Sequence, residues 1–263
     1  MYRIIRLHNP LARRTAAIGI AAFAVAAVLL GSYRLAARPQ GEDAPQQQSS
    51  ALLDGFRHVE VASVSDAVEQ ITSRRMYMSH NMRPIFTTKF AGYALTVLLK
   101  KEEGHQGSAA LGGMLAAIDQ GAPDSVYVMV VEDGANIAGM GGLMGTAMAA
   151  RDFAGAVIDG GTRDVAYLRK IRFPVYSLGI VPSTSVNHYR FAGANIPVVC
   201  DGVPVRAGDI ITADSDGVVV VPRARAQQVL ALARQMDFKE HSMYPYIEKY
   251  RSIEEAVKRF GRL

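Results

Sequence analysis

The sequence is poor in the residues that build disulfide frameworks and zinc sites. It has one cysteine, no tryptophan, and six histidines that are not paired at metal-binding spacing. Cys200 therefore cannot form a disulfide within the chain, and its apolar surroundings predict a buried core thiol. The scattered histidines argue against zinc. At 263 residues and 49% hydrophobic content, the chain can build a core without either device.

Acidic residues are absent from the first 40 positions, which contain six arginines. Since the whole chain carries a net charge of +5, the remainder is nearly neutral. A body without a clustered basic face argues against nucleic-acid binding. Within this leader, residues 16–31 form an uninterrupted apolar run, which predicts one N-terminal hydrophobic helix, either a signal anchor or a signal peptide.

These features predict three segments. Residues 1–37 are the anchor or signal peptide, residues 38–55 a polar flexible linker, and residues 56–263 the folded domain. Four arginines precede the apolar run and two follow it, so the positive-inside rule predicts a membrane-anchored or exported protein with its domain outside the cytoplasm. A start further along the chain would instead leave the domain cytoplasmic.

From Val61 onward, helical and strand patterns alternate, which predicts an α/β fold. We expect helices from Ser65 to about Arg75 and over 108–120, 224–236 and 252–260. We expect strands at 90–99, 125–131, 156–158, 175–178, 196–200, 203–205, 210–212 and 218–221. The run Ser125–Val131 is continuously apolar, as in a strand buried on both faces.

The stretch from Gly139 to Asp164 carries the strongest chemical signal. Its glycine cluster enters a helix, whose free N–H groups can bind a carboxylate or phosphate. A short strand then leads to Arg163, a planar fork for carboxylates, and Asp164, a hard oxygen ligand for Mg²⁺ or Mn²⁺. A small oxo-acid chelated to a metal would suit all three. The alternative is a solvated surface ion pair beside an ordinary glycine turn.

Two other motifs resemble a dinucleotide-binding loop and a calcium loop, but their spacing does not match either site. The glycines resemble a dinucleotide-binding loop, but they follow their strand too late, and Met144 stands where a third glycine is needed. The run from Asp214 to Gly217 resembles a calcium loop, but Arg225 occupies the position of the required glutamate.

Five motifs taken together are far more specific than any one alone: Gly155–Gly160 (GAVIDG), Arg163-Asp164, Phe173–Val175 (FPV), Gly208-Asp209 and Ala213–Pro222 (ADSDGVVVVP). On these motifs, the chain from about Val61 to the C-terminus resembles the RraA-like family. That family includes class II pyruvate aldolases that cleave 4-hydroxy-4-methyl-2-oxoglutarate.

The resemblance implies a swivelling β/β/α sandwich assembled as homotrimers or hexamers, with sites at subunit interfaces. It implies that Gly141, Gly142, Leu143 and Met144 hold the substrate, that Arg163 binds the carboxylate and keto oxygen of a pyruvyl group, and that Asp164 ligates Mg²⁺ or Mn²⁺. It also implies a glutamate donated by a neighbouring subunit. Glu240 is the matching candidate, its alternative being a solvated glutamate on a helix.

The chain departs from the family pattern at two positions. Aldolase members carry an acidic residue where this chain has Gly142, and many carry Glu where it has Tyr167. We therefore expect a metal-dependent carbon–carbon lyase for small 2-oxo acids that favours oxaloacetate decarboxylation over aldol cleavage. The alternative function is a catalytically degenerate, membrane-tethered binding or regulatory protein.

Overall fold

A computed structural model describes residues 43–86, 88–104 and 107–261. Contacts divide the chain into Met1–Asp43 and Ala44–Leu263. The helices are α1 (Asp43–Arg57), α2 (Val61–Thr72), α3 (Gly112–Gln120), α4 (Gly142–Ala150), α5 (Val165–Lys170), α6 (Ala226–Tyr250) and α7 (Ile253–Phe260). The strands are β1 (Arg83–Pro84), β2 (Phe90–Lys101), β3 (Ser125–Val131), β4 (Ala138–Met140), β5 (Gly155–Thr162), β6 (Val175–Ile180), β7 (Tyr189–Ala194), β8 (Val198–Cys200), β9 (Val203–Val205), β10 (Ile210–Asp214) and β11 (Gly217–Val221).

Nine of these strands form one mixed sheet in the order β1-β6-β5-β3-β2-β10-β11, with β4 paired to β5 and β7 paired to β2. Strands β2, β3, β5 and β6 run parallel, whereas β10 and β11 extend the sheet as an antiparallel pair. Strands β8 and β9 form a separate hairpin. The predicted α/β class is confirmed.

The central strand β3 is covered on both sides, which explains its continuous apolar sequence. Val126 and Val128 point into a core shared with α2, α6 and the β8–β9 hairpin. Tyr127 and Met129 point into a second core, which contains side chains of α3, α4 and α5. Cys200 lies fully buried in the first core, as predicted.

Several element boundaries differ from the predictions. Strand β3 matches residue for residue, but the first helix of the domain begins at Val61, so Ser65 lies inside α2. Helix α6 continues beyond the predicted 236 to Tyr250, past Pro245, where Tyr246 packs against a ring of α7. Strands β4 and β7 and helix α5 were not predicted, because their sequences are short or rich in glycine and charge.

The predictions for the N-terminal region have mixed outcomes. Residues 43–57, which include most of the predicted linker, are helical in α1. The apolar run at 16–31 lies outside the described residues, and the three-segment division stays a prediction. Across 43–86, 88–104 and 107–261, the structure contains no helix that is both long and apolar enough to traverse a bilayer. On this finding, the predicted membrane-anchored or exported location is wrong.

Candidate active site

Two parallel strands bring the glycine cluster to the Arg-Asp pair. Strand β4 pairs with the end of β5, with Met140 opposite Thr162, and the N–H of Arg163 donates to the Met140 carbonyl at 3.1 Å. Because both strands are parallel, the loops that follow them leave the same edge of the sheet. The start of α4 and the start of α5 therefore lie side by side.

The backbone places the Asp164 carboxylate directly over the glycine turn. Asp164 precedes α5 in the left-handed conformation, with a φ of 57°. Its Oδ2 accepts a hydrogen bond from the N–H of Gly142 at 2.8 Å. A Cβ at position 141 would lie 2.5 Å from that oxygen, so this approach requires Gly141 to be glycine.

Arg163 is held beside this carboxylate by a backbone group. Its Nη1 donates to the Ser183 carbonyl at 3.0 Å, and its Nε lies 3.8 Å from Asp164 Oδ2. Within the described ranges, its Nη2 makes no hydrogen bond, which leaves part of the guanidinium fork for a ligand. The sequence does not single out Ser183. A contact through its carbonyl leaves no trace in residue type.

The N-termini of α4 and α5 face one cleft of about 240 Å³. One wall is the turn from Gly139 to Met144 together with Arg163 and Asp164, and the other includes Leu111 and Met114. Among the described residues that line it, Asp164 is the only carboxylate. The structure thus brings Arg163, Asp164 and the four predicted substrate-binding residues into one concave site.

Those four residues differ in what they offer a ligand. The N–H of Gly142 is already bonded to Asp164, whereas the N–H groups of Leu143 and Met144 have no acceptor in the part of the chain that the structure describes. Met144 packs its side chain into the core, and the Leu143 side chain is 90% exposed. The two open amides belong to the first turn of α4, where a carboxylate is favoured.

The two departures from the family pattern contact each other. A Cβ at position 142 would lie 3.1 Å from Cδ1 of Tyr167, so the tyrosine ring occupies the space next to the glycine. The Tyr167 hydroxyl lies 3.4 Å from the Thr146 hydroxyl, which donates to the Gly142 carbonyl at 2.8 Å. The two positions that depart from the expected pattern therefore lie next to each other, with the Tyr167 ring against Gly142 and beside Asp164.

Glu240 lies elsewhere in this chain. It projects from α6, accepts a hydrogen bond from the Tyr244 hydroxyl at 2.9 Å, and is not among the residues that line the cleft. Its predicted role in a neighbouring subunit's site stays a prediction.

A second group of possible metal ligands lies near Glu240. Ligand atoms of Glu60, Asp237 and His241 all lie within 4.8 Å of one another. A hydrogen bond to the Asp237 carbonyl raises the pKa of His241, as do the charges of Asp237, Glu60 and Glu240. Asp237 also accepts the N–H of Glu60 at 3.0 Å, so the group joins the start of α2 to α6. The sequence did not show it, because Glu60 is distant along the chain.

The Asp159 carboxyl has a structural role. It accepts the N–H of Asp201 at 2.6 Å and so ties β5 to the β8–β9 turn. Burial raises its pKa, and the Asp201 hydrogen bond opposes that shift.

The fold and this cleft define an α/β domain in which an arginine, a carboxylate and the start of a helix line one concave site. Comparison with known proteins then identifies the family. The profile of the RraA-like family, described as Aldolase/RraA, matches residues 61–220, and the chain belongs to that family.

Named relatives agree with this assignment. A protein of Halalkalibacterium halodurans, called "Putative 4-hydroxy-4-methyl-2-oxoglutarate aldolase", is 26% identical over 181 residues, covering 68% of this chain and 80% of the relative. A Burkholderia multivorans protein of the same name is 38% identical over 96 residues, covering 35% of this chain and 57% of the relative.

Solved structures show the same fold. An uncharacterised protein of Pseudomonas syringae matches with a TM-score of 0.72 and 26% identity, covering 80% of this chain and 94% of the other. Streptomyces coelicolor RraAS2, described as an unusual member of the RNase ES inhibitor RraA family, matches with a TM-score of 0.64 at 22% identity, covering 81% of this chain and 98% of the other.

Proposed function

We propose that this protein is a divalent-metal-dependent lyase that acts on small 2-oxo acids through a pyruvate enolate. The observation that carries the proposal is the common cleft: the Arg163 guanidinium, the Asp164 carboxylate and two open amides of α4 face a cleft of about 240 Å³. The names of the aldolase relatives support the same reaction class.

Each residue of the cleft has a proposed role that follows from its chemistry. The Arg163 fork binds the substrate carboxylate and keto oxygen, and it stabilises negative charge that develops on that oxygen. The Leu143 and Met144 amides bind the carboxylate at the helix start. In oxaloacetate, the bond between C3 and C4 breaks, CO₂ leaves, and the electron pair passes into the enolate of pyruvate. A proton from water then adds to C3 and gives pyruvate.

The donors in the cleft fit a hard divalent cation. Asp164 uses Oδ2 for the Gly142 amide, and its Oδ1 has no hydrogen-bond partner among the described residues. Mg²⁺ in enzymes is often held by one or two carboxylates together with substrate and waters. Asp164 would hold Mg²⁺ or Mn²⁺, whose charge, when the ion is bound, lowers the energy of the enolate.

The Gly142–Tyr167 pair biases the site towards decarboxylation. Aldol cleavage requires a base to take a hydroxyl proton, and carboxylates near the metal support that transfer. Here the Tyr167 ring lies against Gly142, and Asp164 is the only carboxylate among the described residues that line the cleft. Decarboxylation requires no such base.

We also propose that the domain adopts the swivelling β/β/α arrangement and assembles as a homotrimer or hexamer. In that assembly Glu240 of one subunit would complete a neighbour's cleft. Leu115 and Leu143 both line the cleft and are 44% and 90% exposed in a single chain, and this pair of exposed apolar side chains supports a partner surface there.

The test is pyruvate release by the full chain from oxaloacetate and from 4-hydroxy-4-methyl-2-oxoglutarate, with Mg²⁺, with Mn²⁺ and with chelator. We expect metal-dependent release, faster from oxaloacetate, and its loss in Asp164→Asn. Faster release from 4-hydroxy-4-methyl-2-oxoglutarate would contradict the bias. Release unaffected by chelator would contradict the metal-dependent lyase.

The Gly142–Tyr167 contact also favours a second function, that of a catalytically degenerate RraA-like binding protein. Such a protein would release no pyruvate above the Asp164→Asn background. It would also bind oxalate no better with metal than without it.

A further inference from the structure

A second cleft on the described part of the chain lies apart from the candidate active site. Its volume is about 680 Å³, within the range of small-molecule sites, and it shares no lining residue with the Arg163 cleft. It forms where the end of α2 meets the loop after β9 and the turn before α6. Four arginines line it: Arg74, Arg206, Arg223 and Arg225.

The cleft has a strong excess of positive charge. Its only carboxylate among the described lining residues is Asp209, which is 8% exposed. None of the four arginines forms an ion pair with any residue in the described ranges. Arg223 and Arg225 also precede α6, where the helix dipole disfavours cations. Without a bound anion, this clustering of like charges is electrostatically unfavourable.

Asp209 connects the two loops that form this cleft. Its Oδ2 accepts the N–H of Arg206 at 2.9 Å, and its Oδ1 accepts the N–H of Arg223 at 3.0 Å. Both oxygens therefore bind backbone groups, and the carboxylate fixes the two arginine-bearing segments relative to each other. The Gly208-Asp209 motif, which the proposed lyase chemistry does not use, thus serves this cleft.

The arginine side chains differ in freedom. The Arg223 guanidinium stacks on the Tyr93 ring at 4.2 Å, and Arg225 donates to Gln228 at 3.2 Å. Arg74 and Arg206 are exposed, and their side chains make no hydrogen bond within the described part of the chain. Two guanidinium groups are therefore partly oriented by neighbours and two can turn towards a ligand, which suits a ligand with several oxyanion groups.

We infer that this cleft is a binding site for a small polyanion carrying at least two phosphate or carboxylate groups, separate from the Arg163–Asp164 site. Concavity favours a small molecule over nucleic acid, whose phosphates are contacted along an extended basic surface. The inference does not depend on lyase activity.

The experiment is calorimetric titration of the full chain with inorganic pyrophosphate, and separately with citrate, in metal-free buffer. We expect saturable binding of one pyrophosphate or citrate per chain, and the tighter of the two identifies the oxyanion class. Arg74→Gln with Arg206→Gln should weaken binding at least about tenfold. These exposed side chains make no hydrogen bond within the described part of the chain, so circular dichroism should be unchanged, and the melting temperature without anion should stay equal or rise slightly as like-charge repulsion is relieved.

The matched control is Arg83→Gln with Lys170→Gln, which removes the same charge from exposed positions outside the cleft. We expect it to change affinity less than about twofold, through screened long-range charge alone. Equal weakening by both double variants would overturn the site, since it would show diffuse attraction to surface charge. Absence of saturable binding of either anion by the wild type would also overturn it.

Discussion

Asp164 and Asp209 are the same residue type in the same kind of contact, yet the structure gives them different capacities. Each accepts backbone N–H groups. Asp209 is buried, with 8% of the whole residue exposed, and both of its oxygens accept backbone N–H groups, whereas the Asp164 side chain is about half exposed and uses one oxygen in this way. A carboxylate with both oxygens engaged holds loops together. One with an open oxygen facing a cleft can ligate a metal.

The largest expected effect is for the Arg163 guanidinium, which is proposed to bind the ligand carboxylate beside Asp164. Arg163→Ala should weaken oxalate binding in the presence of Mn²⁺ by about 2 to 4 kcal/mol, because it removes a charged partner from a bound carboxylate. Isothermal titration measures this. Arg83→Ala is the control for loss of an exposed arginine. If Arg163→Ala leaves oxalate affinity unchanged, Arg163 does not bind the carboxylate of the ligand.

The second prediction separates the two aspartates by stability. Asp209→Asn should lower the free energy of unfolding by about 2 to 3 kcal/mol, because its amide group would face one of two backbone donors in a buried place. Asp164→Asn should cost less than about 1 kcal/mol, since asparagine tolerates the left-handed conformation. Urea unfolding compares them. Equal losses would remove the distinction between the two sites.

The third prediction addresses the aromatic ring beside Asp164. Tyr167→Glu should raise cleavage of 4-hydroxy-4-methyl-2-oxoglutarate relative to oxaloacetate decarboxylation by about tenfold, because it returns a carboxylate to the proton-transfer network. Tyr167→Phe removes only the hydroxyl near Thr146 and should leave the ratio unchanged. The two substrates are assayed in parallel, and a ratio unaltered by glutamate would show that Tyr167 does not set the preference.

The smallest expected effect concerns the contact between α2 and α6 that includes His241. The pKa of His241 is raised above its usual 6.5, so the folded state favours its protonated form. Its contribution to stability is therefore full below about pH 6.5 and is lost as the pH rises through the folded-state value. The stability difference between wild type and His241→Gln should be larger at about pH 5.5 than at about pH 8.5.

Urea unfolding at the two pH values measures that difference. His58→Gln is the matched control, since His58 also bonds the carbonyl four residues before it, at 2.7 Å. A wild-type advantage that stays constant between the two pH values would contradict the His241 assignment.

The sequence predicted the elements whose pattern reflects burial. Strand β3 matched because both of its faces are covered, so every position is apolar. It also grouped Gly141, Arg163 and Asp164, which the structure places on one cleft because loops that follow parallel strands leave the same edge of the sheet. Their roles in binding stay a prediction.

Other features depend on contacts that residue type does not record. The Ser183 carbonyl that orients Arg163 is a backbone group, and any residue would supply it. The contact between Gly142 and Tyr167 and the grouping of Arg74 with Arg206 and Arg223 depend on tertiary packing between distant segments. Strand β4 has three residues and two neighbouring glycines, too short a pattern for period-2 alternation to be recognised.

The central claim, that Asp164 is the ligand of a metal bound together with an oxo-acid, is tested most directly by electron paramagnetic resonance of Mn²⁺ with oxalate. Asp152→Asn is the matched control, because Asp152 is also exposed and left-handed, with a φ of 57°, but lies outside the cleft. We predict one oxalate-dependent Mn²⁺ per chain in the wild type and in Asp152→Asn, and its loss in Asp164→Asn. Equal Mn²⁺ binding by all three proteins would contradict the account.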